Sequence, residues 1–434
     1  MSLTYEKFAP ALAVLRSGPL THDARRRNDT LPTTLDVALD AIACLCVTQP
    51  GDQFAVSIFT DPASKPALLL ASNCESVPDT VMTRIKGIWD YLYDQASGED
   101  ADTVFLEQQY LLSWPVFQYR VLSVDRAIQV LEEVVSSNGQ LPEERLYYPT
   151  ALRDVEVPVD RLQSIINRLR SLDWVIQKTR PTRDDVTRVH NTIALLNQDF
   201  RNTTKIVIDI AAAVGETFQV DIQNMLRLDE GIKVLIAYRK TEKLDDLVAT
   251  EVRLILPQMG HYDFQPDSPD LKVHIGRKLY QSYTRELPEY IEDYNAHLLP
   301  ALKKLHDDIS QSYIRTDAGF LVPTHPECTL LAFVLKASKD ARASYIGTSQ
   351  KSCLLCYRFI SSCADCDSRL PRVRGSHGLV QLPWIKPVLS GPLETRIEAY
   401  FENYFQGDDN ILTSAYAWNF HERYKVKPDP WDTF

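Results

Sequence analysis

Apolar positions along the chain fall into recognisable periods, and these predict an alternation of helices and strands. Between Thr33 and Val47, Leu35, Val37, Leu39, Ile42, Leu45 and Cys46 recur at mostly helical spacing, which predicts a helix. Gln53–Thr60 and Ala67–Ser72 follow as two short apolar runs around a turn at Asp61–Pro66, a hairpin pattern. A two-stranded hairpin is not stable alone, so its sheet must be completed from elsewhere. The next convincing strand is far along the chain, at Ala343–Gly347. It lies between Leu330–Leu335, apolar enough for a buried helix, and a further helical segment.

The intervening residues, about 78–312, read as largely helical. Val81, Ile85, Ile88, Trp89 and Leu92 form one stripe. Leu162, Ile165, Ile166, Leu169 and Leu172 form a second, and Val186, Val189, Ile193 and Leu196 a third with His190 on the same face, read as packing. Gly276–Ile309 is a long amphipathic stretch with Pro288 expected to kink it. No fixed-period repeat appears, which predicts an irregular bundle and not a solenoid. Pro392–Gly407 has Pro near its start and Gly at its end, the signature of a terminal helix. Residues 1–32 are polar, and 408–434 form an aromatic tail with Tyr416, Trp418, Phe420, Tyr424, Trp431 and Phe434.

Composition is ordinary for a globular chain: 434 residues, 44% hydrophobic and 24% charged. No apolar run is long enough to span a bilayer, and the start Met1-Ser-Leu-Thr-Tyr-Glu-Lys7 is neither a signal core nor a transit segment. This predicts an intracellular protein, cytoplasmic or nuclear, without membrane contact. The net charge of −11 argues against general nucleic-acid coating. Residues 325–387, however, hold nine Lys and Arg against four acids, a local +5 that suits a phosphate-bearing substrate.

The eight cysteines include two Cys-x-x-Cys pairs, which in a large chain with no secretory signal points to metal binding. His325, Cys353 and Cys356 would supply three ligands to one ion, with Cys353 lying 28 residues after His325 across the strand at Ala343–Gly347. Three N and S donors leave the fourth position of a tetrahedral ion open, as hydrolytic zinc chemistry requires. A Cys-x-x-Cys at a helix start aims both sulfurs at one point, where free backbone N–H groups favour thiolates. Ser352 is placed to cap that helix. Glu327, two residues after His325, can reach a water on the metal without ligating it, and so can act as general acid and base.

Two other readings use the same residues. Thr324-x-x-Glu327 is a capping box, which by itself would account for Glu327. Cys353 and Cys356 can instead pair with Cys363 and Cys366, which sit in a loop-like stretch, to close a four-thiolate structural zinc site. The protein would then be a non-catalytic interaction or nucleotide-sensing module.

His325-Pro-Glu327, Tyr345-Ile-Gly-Thr-Ser-Gln-Lys-Ser-Cys353-Leu-Leu-Cys356, Arg374-Gly-Ser-His-Gly378 and Trp384 together resemble the cytidine deaminase superfamily, and within it a deaminase-like group common in fungal genomes. The resemblance covers roughly 314–390. Many members carry Pro before the first Cys, where this chain has Ser352. The resemblance implies an α/β fold: a three-layer αβα core with a mixed sheet. Its opening helix and hairpin would be 33–75 and its remainder 314–407, split by a large, mainly α-helical insertion at 78–312. The alternative is a compact C-terminal deaminase whose second strand is Ala318–Val322. The resemblance further implies Zn²⁺ as cofactor and hydrolytic deamination of a nucleobase, in a nucleoside, nucleotide or single-stranded nucleic acid. Asn73, at the end of the second strand, becomes a candidate sugar contact and tips the expectation toward cytosine over adenine. Ser352, Arg374, His377 and Trp384 are the other candidate substrate contacts, and the helical insertion is a candidate surface for a protein partner.

Overall fold

The computed structural model describes residues 32–62, 65–73, 79–93, 99–139, 157–214, 218–241, 251–262, 299–337, 342–350, 352–367, 369–374, 382–389 and 392–407. Arg25–Arg27, the aromatic tail, Pro288 with its flanking stripe, and the loop from Gly375 to Gly378 lie outside the described residues.

Helix α1, Thr34–Cys46, starts at a reciprocal cap: Asp36 N donates to Thr33 Oγ1 and Thr33 N to Asp36 Oδ2. The expected hairpin follows as β1, Phe54–Phe59, and β2, Ala67–Ser72, in continuous antiparallel register from Phe54↔Ser72 to Phe59↔Ala67. Ten of these twelve residues are apolar because the strands are covered on both sides, as strands inside α/β proteins are. Phe54, Val56, Leu68 and Leu70 face one buried cluster, which contains α1. Ala55, Phe59, Leu69 and Ala71 face another, which contains the two helices carrying His325 and the Cys-x-x-Cys pair.

Helices α2 (Asp79–Tyr93), α3 (Glu99–Ser123), α4 (Asp125–Ser136), α5 (Val159–Arg170), α6 (Trp174–Gln177), α7 (Arg183–Ala213) and α8 (Phe218–Arg239) follow. Their apolar stripes join the first cluster, and α8 lies along α1. Buried Arg84 ties this bundle to α1, donating to the carbonyls of Leu45 and Val47 at its C-terminus and to Gln109 and Ser113 of α3. His190 does more than pack. Its Nδ1 lies 2.6 Å from Asp229 Oδ1, on the same carboxylate that accepts from Tyr110 Oη and pairs with Lys233.

The stretch 78–312 is not purely helical. Strands β3, Glu251–Ile255, and β4, Met259–Tyr262, lie within it, and β3 runs parallel to β2 at the edge of the main sheet. As an edge strand with one partner, β3 is at most partly buried and shows no apolar run. Helix α9, Leu299–Ser312, leads to β5, Ile314–Thr316, and β6, Gly319–Pro323. Strand β6 pairs with β4 and β5 in a separate antiparallel sheet, so Ala318–Val322 is not a second strand of the main sheet.

Helix α10, Pro326–Lys336, comes next. The strand expected at Ala343–Gly347 is reduced to isolated bridges at Arg342 and Tyr345 and to β7, Gly347–Thr348, which pairs antiparallel with β1. The main sheet therefore has the order β3-β2-β1-β7 and is mixed. A Cβ on Gly347 would lie 2.4 Å from the Leu39 carbonyl carbon, so α1 crosses β7 with no room for a side chain. Helix α11, Leu354–Cys366, and helix α12, Pro392–Gly407, complete the described chain. Cys363 and Cys366 belong to α11 and not to a loop.

Candidate metal centre

Both helices that carry candidate ligands begin at one. His325 is the N-cap of α10, with an extended backbone and Pro326 in the first turn, where a missing N–H costs nothing. Cys353, not Ser352, is the N-cap of α11, and its Sγ accepts from Cys356 N at 3.4 Å. The start of α10 is set by β6, since Thr324 N donates to the Gln258 carbonyl just before β4, and Gln258 N donates back to Thr324 Oγ1. That exchange also removes the capping box: the Thr324 N–H is taken by Gln258, and Thr324 Oγ1 pairs with Thr329 Oγ1 at 2.7 Å.

The two N-termini meet. His325 Nδ1 lies 3.1 Å from Cys356 Sγ and 3.6 Å from Cys353 Sγ, and the three donor atoms all fall within 4.8 Å of one another. Behind them stands a second set of groups. Trp384 Nε1 donates to Cys356 Sγ at 3.1 Å, the Pro383 carbonyl faces the His325 ring as an acceptor, and the Cys328 thiol bonds to Cys356. Such outer groups fix the orientation of metal ligands and the histidine tautomer.

Burial opposes charge on the sulfurs of the centre. Burial raises both Cys353 and Cys356 well above the usual thiol value. Burial pulls the His325 imidazole down, but Cys353 and Glu327 outweigh it and raise His325 to about 9. Burial likewise lifts Cys328 to about 11. An ion would displace these protons and leave two thiolates and a neutral imidazole. One nitrogen and two sulfurs converging at helix N-termini, with the imidazole facing a carbonyl, suit a tetrahedral ion with one position open.

Glu327 is 7% exposed, two residues from His325 in the first turn of α10. Among the described residues no hydrogen bond or ion pair engages its carboxylate, yet its charge is felt by both His325 and Cys356. The closed four-thiolate site does not form: within the described residues Cys363 and Cys366 do not join the convergent group. Cys363 is seven residues beyond Cys356 on α11, about 10 Å farther along the axis.

The remaining sequence candidates scatter. The Asn73 amide closes the open end of the hairpin, accepting from Gln53 N at 2.9 Å and donating to the Gly51 carbonyl at 3.1 Å. Arg374 lies 3.7 Å from Asp40 of α1, on the side of the sheet away from the cysteines. Ser352 is buried beside Cys353. His377 lies outside the described residues. Trp384 is at the centre but behind it: it is 2% exposed, its ring stacks on Phe401 at 5.8 Å, and its N–H is spent on Cys356. Cys328 and Pro383 were not singled out from sequence. The former carries only the weak signal of falling three residues after His325 on the inner face of α10, and the latter acts through its backbone.

Among the described residues no helix is long and apolar enough to cross a membrane. No curated protein and no solved structure matches the chain. A family model does: that of the OTT_1508-like deaminases, over residues 324–388, a span that holds all three convergent ligands, Glu327 and Trp384. Residues 324–388 thus match a deaminase family within the cytidine deaminase-like superfamily.

Proposed function

We propose that this protein is a zinc-dependent hydrolytic deaminase acting on a nucleobase in a nucleoside, nucleotide or single-stranded nucleic acid. The observation that carries the reading is the pairing of a convergent His325, Cys353 and Cys356 with a buried carboxylate, Glu327, which no described side chain engages. Zn²⁺, when bound by those three residues, supplies a Lewis acid that lowers the pKa of a water. Glu327 would take one proton from the attacking water and hand it to the ring nitrogen of the base. It would then carry the proton of the newly added hydroxyl to the amine, so that a C–O bond forms, the C–N bond breaks and ammonia leaves. Cys328, Trp384 and Pro383 hold the ligands in place and take no part in the proton transfers.

In this reading 33–75 and 314–407 make one split, three-layer αβα core, and 78–312 is an insertion that contributes β3 to the sheet and a helical cover to its far face. The pairing of β1 with β7 supports it, because the hairpin and the Cys-x-x-Cys segment then share one sheet. The slight preference for cytosine over adenine rests on the resemblance at Asn73 and belongs to the same proposal. An intracellular site of action, and a protein partner on the insertion, are consistent with the charge and composition.

The test is ammonia release from cytidine, adenosine and single-stranded oligonucleotides, alongside metal content per chain. Glu327→Gln should keep one zinc and lose turnover by about 100-fold or more. Full activity in that variant, or zinc surviving His325→Ala, would overturn the assignment.

A further inference from the structure

On the α1 side of the sheet, away from the cysteines, α1, α7 and α8 enclose a cavity of about 810 Å³ whose wall continues onto Thr348, Ser349 and Arg374. Four cations line it, Arg201, Arg227, Lys233 and Arg374, against two acids, Asp40 and Glu230. Three of the cations are engaged by carboxylates. Lys233 pairs with Asp229 at 2.6 Å, while Arg201 and Arg374 reach Glu230 and Asp40 only at 3.7 Å.

Arg227 differs. It is partly buried, one of its guanidinium nitrogens donates to the Ser349 carbonyl at 3.1 Å, and among the described residues no carboxylate forms an ion pair with it. The Asp40 carboxylate acts on it through its charge without an ion-pair contact. A guanidinium with one neutral hydrogen-bond partner and an adjoining cavity has donors to spare for an anion. The rest of the wall is largely apolar, with Val37, Ala41, Phe200 and Leu226 among its residues, so the occupant also has an apolar body.

We infer that this cavity is a second binding site, separate from the metal centre, for a phosphorylated small molecule. Its phosphate would sit on Arg227, with Arg201 and Arg374 at the mouth, and its flat or apolar part on the wall formed by α1, α7 and α8. The wall is also continuous with the metal centre. Asp40 accepts from Thr348 N, Ser349 N donates to the Phe54 carbonyl while Phe54 N donates to Ser349 Oγ, and the chain reaches Cys353 four residues after Ser349. The inference does not depend on the deaminase reading.

The experiment is isothermal titration of the full-length protein with inorganic pyrophosphate and with adenosine monophosphate, in the wild type and in three variants. The wild type should bind at least one probe, with the nucleotide tighter than pyrophosphate. Arg227→Gln should weaken binding at least tenfold. Arg201→Gln combined with Arg374→Gln, two largely exposed side chains whose loss leaves the fold intact, should also weaken it. Cys353→Ser, which dismantles the metal centre, should leave it unchanged. Failure of both probes to bind the wild type at millimolar concentration would overturn the inference. So would binding that survives both arginine variants, or that is lost with Cys353→Ser, since the ligand would then sit elsewhere or at the metal centre.

Discussion

The indole N–H of Trp384 points at the sulfur of Cys356, 3.1 Å away, from inside an aromatic cluster with Phe359 and Phe401. A buried thiolate is costly unless donors face it, and this N–H is one of the few groups placed to do so. Trp384→Phe keeps an aromatic face for Phe401 and removes the donor, together with some buried volume that a Trp384→Leu control also removes. Metal affinity, measured by competition with a chromogenic chelator, should fall by about 10- to 100-fold while the folded content stays unchanged. Equal affinity in both proteins would show that the contact is packing alone.

Cys363 separates the open from the closed metal site. It is fully buried in the apolar cluster and sits two turns of α11 beyond Cys356. Cys363→Ser should leave metal stoichiometry unchanged and cost about 1–3 kcal/mol for a buried hydroxyl, whereas Cys353→Ser should abolish metal binding. Loss of metal from the Cys363 variant would restore the four-thiolate arrangement.

Gly347 marks the closest approach of α1 to the sheet. A methyl group there would meet the Leu39 carbonyl carbon and oxygen and the Asp40 nitrogen at 2.4, 2.6 and 2.7 Å, all of them backbone atoms that cannot swing aside. Gly347→Ala should destabilise the protein by about 2–3 kcal/mol in urea unfolding. Gly87→Ala, at an exposed position of α2 with nothing within 4 Å, should stabilise it by about 0.5–1 kcal/mol. Similar effects from the two substitutions would contradict the packing described for α1.

Asp221, in the first turn of α8, has its carboxyl raised to about 6 by burial. A carboxyl that holds its proton more tightly folded than unfolded contributes stability at low pH, and that contribution is lost as the pH rises through about 6. Asp221→Asn should therefore match the wild type in melting temperature near about pH 4 and exceed it near about pH 7.5. The opposite trend would mean that Asp221 gains an ionic partner when charged.

What could be read from the sequence was local. Helix α1, the hairpin, the stripes of α2, α5 and α7, and the spacing of His325, Glu327, Cys353 and Cys356 were legible because periodicity and ligand type are properties of neighbouring residues. Edge strand β3 was not, since it pairs through one side only and carries no continuous apolar run. Nor was the helical run of α11 through Cys366, whose cysteines read equally well as ligands or as small apolar residues.

The tertiary structure decided direction and neighbourhood. Asn73, Arg374 and Trp384 were all singled out as substrate contacts, yet one closes a turn, one faces α1 across the sheet, and one stands behind Cys356. Residue type predicts which bonds a side chain can make, but which partner it meets depends on segments far away in the chain: Gln258 before α10, β1 beside β7, and α1 over Gly347. Long-range packing also created the cavity at Arg227, because its walls come from α1, α7, α8 and β7, and no single stretch of the sequence contains it.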